Sequence, residues 1–176
     1  FMSEKIKPWI LAIRPKTILA SIGPVLVGLS IAYHLKHELN ILVSILTLIC
    51  AILLQISTNI ANDYLDFKKG IDTKERLGPL RVTSAGLISE FSMKRALIML
   101  LSLAFLIGIY LMSIGGAYII IIGLLSLYFS YGYTGGPFPL SYNGLGEISA
   151  LIFFGIFAVS GTTYLQTKTF DSTSLS

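Results

Sequence analysis

Residues 39–72, LNILVSILTLICAILLQISTNIANDYLDFKKGID, decide the fold of this chain. Residues 39–62 contain no Asp, Glu, Lys or Arg, and they are long enough to cross a bilayer as a helix, which takes about 20 apolar residues. Three carboxylates and two lysines follow before residue 73. An apolar run that ends in such a cluster predicts a membrane-spanning helix whose end meets the aqueous surface.

Three further stretches lack charged side chains, namely 17–33, 96–146 and 148–167. The second is too long for one span, and the sequence SIGG at 113–116 favours a turn within it, because glycine adopts turn conformations at little steric cost. We therefore predict an all-α, polytopic transmembrane helical bundle with spans near 17–34, 40–61, 95–113, 117–134 and 147–166. The membrane domain occupies residues 17–167, between a flank at 1–16 and a polar tail at 168–176.

Composition supports a membrane protein. Hydrophobic residues make up 54% of the chain and charged residues 12%, whereas soluble domains carry about 25% charged residues. Thirteen basic and nine acidic residues give a net charge of +4. A basic excess can indicate nucleic-acid binding, but here the charges lie between long apolar runs rather than along a polar face. We therefore expect the lipid bilayer as a partner and no nucleic acid.

The distribution of basic residues predicts the orientation, because Lys and Arg concentrate in cytoplasmic loops. Four basic residues precede residue 17 and seven lie in 62–95, whereas 33–39 holds one and the turn at 115–116 holds none. The pattern predicts a cytoplasmic N-terminus, with the loop at 62–95 on the same side. The loop at 135–147 holds no Lys or Arg and is assigned to that side by the alternation of spans alone.

Four polar residues follow one face of the second span at spacings of four, three and four: Gln55, Asn59, Asn62 and Asp66. Such a stripe is costly in a bilayer unless it lines a cavity or meets other polar groups. For Gln55 and Asn59 we favour hydrogen bonding between helices. For Asn62 and Asp66 we favour a binding site, because more carboxylates follow.

The cluster at 62–72 combines an amide, three carboxylates and nearby cations. Hard oxygen ligands suit Mg²⁺, which is usually held by one or two carboxylates together with substrate phosphates. Cations at 68–81 suit phosphate oxygens. Together they predict a metal–diphosphate site. The alternative is an ordinary charged cytoplasmic loop, which explains the lysines but not carboxylates that begin inside the apolar register.

Three separated blocks resemble the UbiA superfamily of intramembrane prenyltransferases. Asn62 and Asp66 match its first aspartate-rich motif, Asn-x-x-x-Asp-x-x-x-Asp; Gly70 stands at the third position, and Asp72 lies two residues later. That spacing, together with RLGPLRVT at 76–83 and YTGGPFPL at 133–140, resembles the 1,4-dihydroxy-2-naphthoate polyprenyltransferase branch. The resemblance covers roughly residues 9–167.

The resemblance implies that Mg²⁺ and the first motif hold a polyprenyl diphosphate, which ionises to an allylic cation. The acceptor, 1,4-dihydroxy-2-naphthoate, attacks that cation and loses CO₂, giving demethylmenaquinone in menaquinone biosynthesis. Quinone chemistry implies a multi-pass protein of the bacterial plasma (inner) membrane.

Residue roles follow from the resemblance and from position. We expect Asp66, Asn62 and Asp72 to be the catalytic Mg²⁺ ligands. Candidate substrate-binding residues are Asp63, Lys68, Arg81, Tyr133 and Glu147. Tyr133 has two interpretations, an aromatic face that stabilises a cation or part of an interfacial aromatic belt. Glu147 is either an acceptor-site residue or a carboxylate favoured at a helix start.

The superfamily has about nine helices and a second aspartate-rich motif, whereas this sequence has about five spans and no such motif. We therefore expect an N-terminal fragment that is inactive alone. The alternatives are another UbiA-type aromatic prenyltransferase, a small membrane transporter component with the acidic stripe as a cation path, and a non-catalytic remnant.

Overall fold

The computed structural model describes residues 6–70, 80–135, 139–140 and 146–169, and the regular secondary structure in these ranges is entirely helical. The predicted all-α fold is confirmed. The elements are α1 (Lys7–Ile13), α2 (Pro15–Lys36), α3 (Ile41–Lys69), α4 (Glu90–Gly132), α5 (Gly146–Ala150), a π-helical segment (Leu151–Phe157) and α6 (Ala158–Thr167). In the described ranges, α2, α3 and α4 are long and apolar enough to cross a membrane.

The flank at 1–16 contains a short helix that the sequence did not predict. Helix α1 ends at Arg14, whose backbone is left-handed with φ of 55° and ψ of 70°. Pro15 then occupies the first turn of α2, where its fixed φ suits a helix start. A residue before proline is disfavoured in the right-handed helical region, so the two helices break apart at Arg14.

Helix α3 continues eight residues beyond the predicted span end at 61. Asn40 caps its start by accepting a hydrogen bond from the Val43 N–H at 3.1 Å. Gly70 ends it in the left-handed conformation, with φ of 64°, which glycine adopts without a Cβ penalty. Asn62 and Asp66 are therefore helical residues one turn apart rather than members of a loop.

Helix α4 is divided by a break at Gly116, where φ is 63° and ψ is −155°. The predicted turn at 113–116 is therefore confirmed. The two arms of α4, before and after Gly116, overlap the spans predicted at 95–113 and 117–134. Only glycine adopts this backbone conformation readily.

Close packing between α2 and α6 depends on Gly28. A Cβ added there would lie 2.7 Å from the Thr162 Cβ and 2.7 Å from the Val159 carbonyl oxygen. The Thr163 hydroxyl donates a hydrogen bond to the Gly28 carbonyl at 3.1 Å. Small residues and hydroxyl hydrogen bonds are the usual means by which helices associate in lipid.

The apolar core consists of two clusters. One joins α1, α3 and the start of α4 around Ile60, Ala61 and Met93. The other joins α3, both arms of α4 and α6 around Val43, Ile119 and Leu165. Large apolar side chains elsewhere are exposed, among them Leu19, Met99 and Leu151. This distribution suits a bundle whose outer surface faces lipid.

Candidate active site

Asp66 and Arg81 form a buried ion pair at the end of α3. Arg81 Nη2 donates a hydrogen bond to Asp66 Oδ2. Arg81 is 7% exposed and Asp66 is 4% exposed. A charge removed from water is strongly destabilising unless a partner compensates it. The pair therefore fixes Arg81, fifteen residues further along the chain, against the helix face that carries Asp66.

Asp63 binds the residues that follow Arg81. Its Oδ2 accepts a hydrogen bond from the Val82 N–H at 2.8 Å, and its Oδ1 accepts from the Thr83 N–H at 3.0 Å and from the Thr83 hydroxyl. Asp63 is 1% exposed. Asp63 was predicted to contact substrate, but in this structure both its oxygens face the protein's own chain.

Asn62 joins α3 to the end of α4. The Thr134 hydroxyl donates a hydrogen bond to Asn62 Oδ1, and Lys69 Nζ donates to the Thr134 carbonyl at 2.7 Å. Thr134 belongs to the YTGGPFPL block at 133–140, so the first and third sequence blocks meet here. Together, Asn62, Asp66, Lys69, Arg81 and Thr134 form what we call the polar end of the bundle.

Asn59 connects α3 to the break between α1 and α2. Asn59 Nδ2 donates to the Ile13 carbonyl and to the Thr17 hydroxyl, both at 2.8 Å. The prediction that Asn59 bonds between helices is confirmed. Gln55 Nε2 donates to Asn59 Oδ1 at 3.4 Å. The predicted bond between helices is therefore made by Asn59, whereas the bond of Gln55 stays within α3. Asn62 and Asp66, the other two residues of the stripe, lie at the polar end.

A cavity of about 360 Å³ lies beside the polar end, between α2, α3, α4 and the helices after residue 146. Asn62, Ser130, Tyr133 and Ser149 line it near the polar end, and Leu111, Met112 and Leu165 line it near the break in α4. Its volume is within the range of small-molecule sites, about 300–1,000 Å³. The cavity lining is therefore mainly apolar, and Asn62 connects it to the polar end.

Aromatic rings form one wall of this cavity. Phe129 lies 4.8 Å from Phe153 and Phe153 lies 5.3 Å from Phe157, measured between ring centroids. Phe153 and Phe157 belong to the π-helical segment, a type of distortion that is frequent at functional sites. Tyr133 also lines the cavity.

The remaining predicted residues are Lys68, Asp72 and Glu147. Lys68 is exposed at the end of α3. Asp72 lies outside the described residues, and Glu147 belongs to α5 while its side chain lies outside the description. Sequence reasoning included Lys69 only among the cations at 68–81, and it missed Thr134 as a site residue although Thr134 belongs to the YTGGPFPL block.

Asn62 and Asp66 place an amide and a carboxylate one turn apart on α3. In the part of the chain that the structure describes, no three His, Cys, Asp or Glu side chains gather to hold a metal by themselves. An amide oxygen and a carboxylate one turn apart nevertheless suit a hard cation such as Mg²⁺, which takes few protein ligands and shares the rest with phosphate and water. This donor chemistry fits a cation that arrives with a diphosphate.

Known proteins with similar sequences are prenyltransferases. Residues 21–175 match the UbiA prenyltransferase family. A 1,4-dihydroxy-2-naphthoate octaprenyltransferase of Haemophilus influenzae is 41% identical over 97% of this chain and 58% of its own length. The protein of the same name in Escherichia coli is 40% identical over 94% and 56%. A 2-carboxy-1,4-naphthoquinone phytyltransferase of Synechocystis is 31% identical over 94% and 53%.

The chain thus spans a little over half the length of these curated relatives. The region that matches the family includes α3, the break in α4, the polar end and the cavity. On the extent of this match, the chain belongs to the UbiA prenyltransferase family.

Proposed function

We propose that this protein transfers a polyprenyl chain from polyprenyl diphosphate to 1,4-dihydroxy-2-naphthoate, with loss of CO₂, in menaquinone biosynthesis. The observation that carries the proposal is that Asn62, one helical turn from the buried Asp66–Arg81 pair, lines a largely apolar cavity. A prenyl diphosphate likewise combines a charged diphosphate head with an apolar tail. The names of the similar proteins support this acceptor over other aromatic compounds.

The polar end would bind the diphosphate. Arg81 presents a planar group of N–H donors that matches phosphate oxygens, and Lys69 adds a second positive charge. Members of the family generally depend on a divalent metal, and we propose Mg²⁺ held by Asn62 and Asp66. When bound, the cation neutralises negative charge on the departing diphosphate. Asp72 remains a proposed third ligand.

The cavity would hold the first part of the prenyl chain. Its interior is lined by apolar side chains of α3, α4 and α6, such as Leu54, Leu111 and Leu165, which exclude water from the reacting carbon. Water would otherwise capture an allylic cation as an alcohol. Tyr133 and Phe129 line the same cavity and have aromatic faces, which attract cations.

The transfer step balances without an added oxidant or base. The C1–O bond of the prenyl diphosphate breaks and its electron pair leaves with the diphosphate. The ring carbon that bears the carboxylate then bonds to C1, and the carboxylate departs as CO₂ while its bonding pair restores the aromatic ring. The product is demethylmenaquinol, the reduced form of demethylmenaquinone. The chain therefore needs no group to remove a ring proton.

We further propose that the protein lies in a bacterial plasma (inner) membrane with its N-terminus and polar end at the cytoplasmic surface. The concentration of basic residues in the N-terminal flank and in 62–95 supports this orientation. A diphosphate made in the cytoplasm would then reach Arg81 and Asp66 while its tail stays in lipid.

A chimaera tests the proposed reaction. The matching region of the Haemophilus influenzae protein is replaced by this chain, and octaprenyl diphosphate-dependent release of label from carboxyl-labelled 1,4-dihydroxy-2-naphthoate is measured in membranes. We expect release by the chimaera and at least a hundredfold less after Asp66→Ala. A folded chimaera that instead prenylates 4-hydroxybenzoate, or that is unaffected by Asp66→Ala, would contradict the proposal.

A further inference from the structure

Asp63 is the most buried carboxylate at the end of α3, and the proposed reaction gives it no task. It is 1% exposed, compared with 4% for Asp66 three residues later. Both its oxygens are hydrogen-bonded to the backbone or hydroxyl groups of Val82 and Thr83. A carboxylate that accepts three hydrogen bonds from its own chain is poorly placed to bind an incoming cation, so its function must be sought in what it holds.

The residues it holds belong to a compact turn that presents Arg81. The Ala85 N–H donates to the Arg81 carbonyl at 3.0 Å, the Gly86 N–H to the Thr83 carbonyl at 3.0 Å and the Leu87 N–H to the Val82 carbonyl at 2.9 Å. We call residues 81–88 the arginine turn. The carbonyls of Arg81, Val82 and Thr83 thus accept hydrogen bonds within the turn, whereas the N–H groups of Val82 and Thr83 donate to Asp63 on α3.

Asp63 and Asp66 form hydrogen bonds with consecutive residues of the arginine turn. Asp66 binds the Arg81 side chain, and Asp63 binds the backbone of the next two residues. Because Arg81 is adjacent in the chain to Val82, a fixed Val82 backbone limits where the Arg81 guanidinium can reach. Val82 is itself fully buried and belongs to the core cluster around Ile60 and Ala61. Its position is therefore fixed by side-chain packing as well as by the hydrogen bond to its backbone.

We infer that Asp63 is a positioning residue that acts through Arg81: by fixing the Val82–Thr83 backbone, it holds the Arg81 guanidinium where the diphosphate of the prenyl donor binds. The inference rests on the proposed function, since it assigns Arg81 to the diphosphate. It replaces direct substrate contact, the role predicted for Asp63, by an indirect one. The expected signature is energetic coupling between Asp63 and Arg81 in diphosphate binding.

A double-mutant cycle in the full 176-residue chain, embedded in lipid nanodiscs, tests this coupling. The measured quantity is the Kd of farnesyl diphosphate in the presence of Mg²⁺. Asp63→Asn places an N–H₂ group against one of the N–H donors, and we expect about a tenfold weaker Kd, which corresponds to the loss of a charge-assisted hydrogen bond. In an Arg81→Gln background, the same change should alter the Kd by less than about twofold.

Three further measurements separate positioning from general damage. Farnesol, which lacks the diphosphate, should bind wild type and Asp63→Asn equally. Glu90→Gln, which removes an exposed carboxylate just after the arginine turn, should leave the farnesyl diphosphate Kd unchanged. Thr83→Ser keeps the hydroxyl and should bind like wild type, whereas Thr83→Val should weaken binding about threefold.

The outcomes distinguish this inference from the proposed function. Suppose that wild type binds farnesyl diphosphate and that Asp63→Asn weakens this binding equally in the wild-type and Arg81→Gln backgrounds. Asp63 then does not act through Arg81, and the inference fails while the proposed function stands. An unchanged Kd in Asp63→Asn has the same consequence. If wild type binds no farnesyl diphosphate, the inference and the proposed function both fail.

Discussion

Thr134 donates a hydrogen bond to the amide oxygen of Asn62, although 72 residues separate the two in the chain. Asn62 is on α3 and Thr134 lies just after α4, so this bond brings the acidic cluster and the YTGGPFPL block to one end of the bundle. Lys69 reinforces the junction by bonding to the Thr134 carbonyl. The polar end is therefore assembled from segments that the sequence shows only as separate motifs.

Replacing Thr134 by valine should weaken diphosphate binding. Thr134→Val keeps the shape of the side chain but leaves Asn62 Oδ1 without its hydroxyl donor, so the amide is free to rotate. We expect about a three- to tenfold weaker Kd for farnesyl diphosphate in nanodiscs, the usual value of one neutral hydrogen bond.

The matched control is Thr167→Val, because Thr167 is also buried and its hydroxyl bonds the Thr163 carbonyl within α6. It should not change that Kd. Equal effects of the two substitutions would show that the loss at Thr134 is a general effect of removing a buried hydroxyl.

Arg81→Lys should bind the diphosphate less well than wild type but better than Arg81→Gln. Lysine keeps the positive charge that compensates Asp66, yet it lacks the planar set of donors that matches two oxygens at once. We expect the farnesyl diphosphate Kd to weaken about tenfold for lysine and further for glutamine, which leaves the buried Asp66 carboxylate without a cation. Lysine and glutamine variants of equal affinity would argue against a charge-based role.

Some features of the fold were predictable because they depend on local chemistry. The break in α4 followed from paired glycines inside an apolar run. The spacing of the polar stripe indicated that the helix continues past Asn62 to Asp66, but its end at Lys69 depends on the left-handed backbone of Gly70.

The candidate site was predictable only in part, because its contacts depend on tertiary register. Lys68 and Lys69 are neighbours in sequence but point about 100° apart on a helix, and Lys69 is the one that bonds Thr134. The partners of Asp63 include the backbone N–H groups of Val82 and Thr83, and backbone donors leave no mark in a sequence.

Gly116→Ala should destabilise the fold, because Gly116 has φ of 63° and ψ of −155°. A side chain in that region of backbone space costs about 1–3 kcal/mol. Reversible unfolding in mixed micelles would measure the change in the free energy of unfolding.

Gly23→Ala is the control for Gly116→Ala. Gly23 is helical, and an added Cβ there meets nothing within 4 Å. Alanine at this position should be neutral or stabilising by up to about 1 kcal/mol. A destabilisation equal to that of Gly116→Ala would remove the conformational explanation.

Gly28→Ala should separate α2 from α6. The added methyl group would lie 2.7 Å from both the Thr162 Cβ and the Val159 carbonyl, and a backbone oxygen cannot rotate away. We expect a loss of about 1–3 kcal/mol in the free energy of unfolding, typical of overpacking. If the variant is as stable as Gly23→Ala, the close approach of the two helices is not needed for stability.

The central claim is that the polar end binds a metal-bound diphosphate whose tail enters the cavity. Its most direct test is a titration of the nanodisc-embedded chain with farnesyl diphosphate. Wild type and Asp66→Asn are compared with Mg²⁺ and with chelator. We predict that wild type binds at least tenfold more tightly with Mg²⁺ than without it, and that Asp66→Asn loses this Mg²⁺ dependence while it binds farnesol normally. Binding that is unchanged by Asp66→Asn, and equal with and without Mg²⁺, would contradict the claim.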